Sequence, residues 1–121
     1  MKASPPAKRP ERLTIVLAQW CPHCVPLSVE NGERLARRLG VPLRLLDIDK
    51  AAEVKLADRM VREHGDLSPD YLIPQVFLEM SDGRVEHLLT GFSESVVRTR
   101  QAWGNLLASA RVASLVREAR A

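Results

Sequence analysis

A chain of 121 residues has room for one domain and little more. Apolar residues make up 45% of it, enough for a single core, but aromatics supply only 4% and the formal net charge is +3. Nucleic-acid binding asks for a concentrated basic face interleaved with stacking aromatics, and no segment has that character.

Residues 1–12 (MKASPPAKRPER) hold three prolines and four basic residues. They read as a disordered tail ahead of a domain over 13–121. The tail lacks the apolar central stretch of a signal peptide, so the sequence as it stands reads as cytoplasmic. The longest apolar run, Leu13 to Ala18 around Thr14, is far too short to span a membrane. Neither a nucleic acid nor a membrane is expected as a partner.

That run is rich in β-branched residues and polar on neither face, which predicts a strand buried on both sides. Trp20-Cys21-Pro22-His23-Cys24 follows at once, and Pro22 suits the first turn of a helix. The helix runs to Gly40, a glycine suited to a C-cap, with an interruption at Asn31-Gly32 and a kink at Pro26. Val41 to Asp49 reads as a second strand. Asp49 then caps a helix through His64, which Gly65 ends. After a loop over residues 66–73, two strand-like runs, Gln75–Met80 and Arg84–Leu89, flank the turn Ser81-Asp82-Gly83. Ser93 is a suitable N-cap for a helical stretch over 94–119 that Gly104 divides. The order β-α-β-α-β-β-α implies an α/β fold with a central four-stranded mixed sheet, a right-handed parallel crossover between its first two strands, and helices on both faces.

The two cysteines are separated by only two residues, so a disulfide between them would close almost no loop and do little as a staple. Redox exchange and metal binding remain. At pH 7 an ordinary thiol is only about 3% ionised, and only the thiolate attacks a disulfide. A helix N-terminus stabilises an anion through its free N–H groups and dipole. Cys21 at that end is therefore assigned as the exposed nucleophile, and Cys24, one turn inside, as the buried resolving thiol. Pro22 stiffens the turn, and His23 offers positive charge or an N–H donor near the Cys21 sulfur. Either effect favours the thiolate and makes the disulfide more oxidising.

At these residues the chain resembles the thioredoxin superfamily. Trp20-Cys21-x-x-Cys24 matches the thioredoxin active-site pattern, and Pro22-His23 is the dipeptide of DsbA-type thiol oxidases. Ile73-Pro74-Gln75-Val76-Phe77 resembles the superfamily's cis-proline segment at the start of the third core strand. The resemblance covers residues 13–119 and implies a thioredoxin-like three-layer sandwich of minimal, glutaredoxin-like size. It implies a thiol–disulfide oxidoreductase in which Pro74 faces the cysteine pair, the Ile73 backbone pairs with an extended substrate, and Trp20 forms part of a substrate platform. No cofactor is implied beyond the redox-active disulfide. Substrates would be disulfide-bearing proteins or small thiols, the electron donor a reductase or glutathione, and the family default is a monomer. The sequence departs from thioredoxins at Ile15, where they carry a buried acid. It departs from glutaredoxins at Gln19, Leu72-Ile73-Pro74 and Thr90-Gly91-Phe92-Ser93-Glu94, which leaves Gly91 and Ser93 as donors to a glutathione carboxylate.

Tyr71 is a candidate for the rim of the same groove. His64 and His87 read as surface residues, Met60 and Met80 as core filler, and Trp103 as ordinary packing. Two other classes compete with the enzyme. One is a metal-handling module holding copper(I) or zinc through Cys21 and Cys24. The other is an interaction domain without redox chemistry, which the intact cysteine pair argues against.

Overall fold

A computed structural model describes residues 8–120. Its elements are β1 (Pro10–Leu17), α1 (Leu27–Leu39), β2 (Leu43–Asp47), α2 (Ala51–His64), β3 (Gln75–Met80), β4 (Val85–Thr90), α3 (Val96–Leu107) and α4 (Ala110–Arg120). The sheet has the order β2-β1-β3-β4, with β1 and β2 parallel and the two other pairings antiparallel. This is an α/β fold with a four-stranded mixed sheet and four helices. Among the described residues no helix is long and apolar enough to cross a membrane.

Leu13, Ile15, Val16 and Leu17 are fully buried, because β1 is a central strand with helices above and below it. Helices α1, α3 and α4 pack on one another, and α1 and α4 also pack on β1. On α1, Gly32 faces β1, and its missing side chain admits Ile15: a Cβ there would stand 2.5 Å from Ile15 Cδ1. Asn31-Gly32 therefore does not interrupt α1. Gly32 is the contact point that seats the helix on the sheet, and Asn31 Nδ2 donates to the Leu27 carbonyl at 2.8 Å.

Helix α2 packs on β2 and β4. Beside it, Glu79 of β3 accepts hydrogen bonds from Arg12 (2.8 Å) and Thr14 (2.8 Å) of β1 and from Arg44 (3.0 Å) of β2. One carboxylate thus ties three strands together. Its charged partners hold it below the usual carboxylate range, the Arg12 hydrogen bond being the largest cause, with burial opposing.

Several expected boundaries move. Pro10, Glu11 and Arg12 belong to β1 and not to the tail, because the chain already pairs with β3 there, with an irregularity between Pro10 and Arg12. A proline at a strand's first residue loses no ladder bond. The expectation for residues 1–7 lies outside the described residues. Asp49 does not cap α2; the N-cap is Lys50, with no side-chain cap bond. The cap of α3 is Ser95, not Ser93, and its hydroxyl accepts from the Arg98 N–H at 3.1 Å. Gly104 lies inside α3, and the break comes at Ala108–Ser109, where Ser109 Oγ accepts the Val112 N–H.

Candidate active site

The sheet brings one set of strand ends together. Leu17, last in β1, pairs with Asp47, last in β2, while Val16 pairs with Gln75, first in β3. The cysteine loop leaves this edge from β1, and Pro74 enters it next to Gln75. Residues 50 positions apart in sequence thus share one end of the sheet.

The loop is built from short turns. Cys21 N–H donates to Ala18 O (3.2 Å), and Cys24 N–H (3.0 Å) and Val25 N–H (3.1 Å) donate to Cys21 O. Ser28 and Val29 N–H both donate to Cys24 O. Helix α1 starts only at Leu27, beyond a cis Val25–Pro26 bond. The pair therefore precedes the helix instead of occupying its first turn. Pro26, read as a kink within the helix, marks the helix entry.

Both cysteines are free thiols. Cys21, expected to be exposed, is only 4% accessible, and Cys24 is fully buried. The tight turns fold the loop back against its own strand end. Burial pushes the Cys24 thiol far up. The Cys21 thiol and the negative charge of Asp47 add to that rise, and a backbone hydrogen bond at Ala18 opposes it.

Asp47 is the acidic group that the sequence reading missed. Ile15 indeed supplies no carboxylate, but the neighbouring strand brings a buried one to act on Cys24. Asp47 Oδ1 accepts the Asp49 N–H at 2.8 Å, and the Asp47 N–H donates to Glu53 at 3.0 Å. The Asp-x-Asp alternation closing the second strand was its only trace in the sequence.

Trp20 does not pack as core. It is 68% exposed, and its Nε1 donates to Asp49 Oδ2 at 2.7 Å. That bond occupies the carboxylate expected to cap α2. Pro22 is exposed. His23 is buried, with its Nδ1 2.9 Å from Thr99 Oγ1 of α3. Its carbonyl accepts from Ser28 Oγ at 2.5 Å, and Ser28 Oγ in turn accepts from Trp103 Nε1 at 2.8 Å. Trp103, read as ordinary packing, thus also carries a polar contact into the site.

The Ile73–Pro74 bond is cis, and both residues are buried. Gly91 lies against them, its N–H donating to Pro74 O at 2.8 Å. That donor is therefore occupied and is not free for a glutathione carboxylate. Tyr71 has φ +44, and its hydroxyl donates to Asp58 at 2.6 Å. His87 is not a bare surface residue: it is half-buried against the Phe77 ring, and its Nε2 lies 2.7 Å from Thr90 Oγ1. Among the described residues no three His, Cys, Asp or Glu side chains gather as a metal site.

No protein-family model, curated protein or solved structure matches this chain.

Proposed function

We propose that this protein is a dithiol–disulfide oxidoreductase of thioredoxin-like arrangement, with Cys21 as nucleophile and Cys24 as resolving thiol. The observation that carries the reading is the unequal pair. Two free thiols, separated by two residues, lie in the loop at the strand end, and the deeper one is held protonated above all by burial. Such a pair has a built-in order of reaction, because the thiol that stays protonated does not compete for the first attack. The strand order and the sheet end shared by the cysteine loop and Pro74 support the thioredoxin-like arrangement.

In the first step Cys21 Sγ, as thiolate, attacks a substrate disulfide. A Cys21–substrate S–S bond forms, the substrate S–S bond breaks, and the departing sulfur takes up a proton. In the second step Cys24 gives up its proton and attacks Cys21 Sγ. The intramolecular disulfide forms and the second substrate thiol leaves. The substrate gains two electrons and the pair loses two; a reductase or glutathione returns them. Run in reverse, the same steps oxidise a dithiol. Substrates of this class are disulfide-bearing proteins or small disulfides.

The test is equilibration in graded glutathione buffers followed by trapping of free thiols, with Cys24→Ser alongside. The reading expects one intramolecular disulfide in the parent protein and a mixed disulfide held on Cys21 in the variant. No intramolecular disulfide at any poise refutes it; a stoichiometric metal on the two thiols would then identify a metal-handling module.

A further inference from the structure

The dipeptide between the cysteines is gripped from a distant helix. Thr99 and Trp103 are four residues apart on α3, so they face the same way, and both are fully buried. Trp103 fixes the His23 carbonyl through Ser28, and Thr99 meets the His23 ring directly.

The hydroxyl of Thr99 has three polar neighbours: Phe92 N at 2.9 Å, Ser95 O at 3.2 Å and His23 Nδ1 at 2.9 Å. A hydroxyl donates once and accepts twice. The Phe92 N–H can only donate and the Ser95 carbonyl can only accept. The count closes when Thr99 gives its proton to Ser95 and accepts the other two bonds, which puts a proton on His23 Nδ1. Since Nδ1–H is present in both the neutral and the charged ring, the Thr99 bond survives either state.

We propose that Thr99 is a positioning residue for His23, holding its ring as an Nδ1–H donor and thereby shifting the Cys21–Cys24 equilibrium toward the dithiol. This rests on the reading of the pair as a redox couple. A charged ring within the dipeptide favours a thiolate beside it, and stabilising the reduced form makes the disulfide a stronger oxidant.

Two measurements on the full chain test this. Long-range proton–nitrogen correlation of the reduced protein assigns the His23 tautomer. Equilibrium constants with glutathione are then compared for the parent, Thr99→Val, Thr99→Ser, His23→Ala and the double variant of His23→Ala with Thr99→Val. The expected tautomer has its proton on Nδ1. Thr99→Val should move the equilibrium toward the disulfide by about threefold or more, the low end of what one hydrogen bond carries. Thr99→Ser should restore the parent value, and Thr99→Val should have no effect once His23 is alanine. A proton on Nε2 of the neutral ring, a serine variant that behaves like valine, or a shift that persists without His23 overturns the proposal. If Thr99→Val does not fold, the tautomer and the serine variant decide. Failure of the redox reading looks different: no variant, nor the parent, would form the disulfide. Failure of this proposal alone would leave the disulfide forming in all of them.

Discussion

Replacing Gly91 by alanine puts a methyl carbon 2.5 Å from Pro74 Cδ, 3.1 Å from Ile73 O and 3.2 Å from Pro74 N. None of these is the end of a flexible side chain: two are backbone atoms and the third belongs to a ring locked to the backbone. The strain therefore relaxes only if the 73–74 segment or the start of the 91–95 turn moves. Either movement loosens the 2.8 Å bond from Gly91 N–H to Pro74 O. Overpacking of this kind destabilises by about 1–3 kcal/mol. The positive-φ glycines of the described chain are Gly40 and Gly83, so the need for glycine at 91 is one of space and not of backbone conformation. Gly104 supplies the control. It lies inside α3 with no atom within 4 Å of a built Cβ, and alanine there should stabilise by about 0.5–1 kcal/mol. Urea unfolding of both variants, read at constant m-value, should show midpoints displaced in opposite directions. Gly91→Ala should also slow reaction with a disulfide substrate, since it displaces Pro74. Equal destabilisation by the two substitutions, or a Gly91→Ala protein unchanged in midpoint and in rate, would refute the claim that close approach fixes this segment.

The Glu79 hub gives a pH test. Its carboxyl is held below 4.5 in the folded chain, first by the Arg12 hydrogen bond, so the stability it contributes is present above that value and is lost as pH falls through the folded one. Glu79→Gln should lower stability at pH 7 by about 1–2 kcal/mol, and urea midpoints from pH 3 to 7 should converge with the parent's only on the acid side; a gap that widens in acid would contradict the assignment. Asp47→Asn removes a charge that raises Cys24 and keeps an oxygen for the Asp49 N–H. Absorbance titration of the Cys21→Ser protein should then find Cys24 ionising at lower pH than it does with Asp47 present, and no change or a rise would show that the carboxylate does not act on that thiol.

How much of this was legible in the sequence follows from the range of each interaction. The run Leu13–Leu17, the alternating segments about Ser81-Asp82-Gly83 and the Gly40 cap are local signals, and the strands, hairpin and helix end appear where those signals stand. The cysteine spacing is equally local, and so is the Ile73–Pro74 dipeptide. The helix starts were misplaced because capping competes with other uses of the same side chain. Asp49 was a sound N-cap by type, yet its carboxylate is engaged by Trp20, 29 residues away. Ser93 and Ser95 are equivalent by type, and Ser95 is the one that caps α3.

The sequence by itself determined the element order, the mixed sheet and the presence of a close dithiol beside a strand end, because short-range periodicity and turn chemistry encode these. Only the tertiary structure decided the surroundings of the two thiols. It buried Cys21 as well as Cys24, set the cysteine loop ahead of α1, and brought Asp47 from the neighbouring strand to act on the resolving sulfur. It also brought Thr99, 76 residues from His23, onto the imidazole. Hydrogen bonds and charges act over a few ångströms whatever the separation along the chain, so no local pattern marks which partner the fold will deliver.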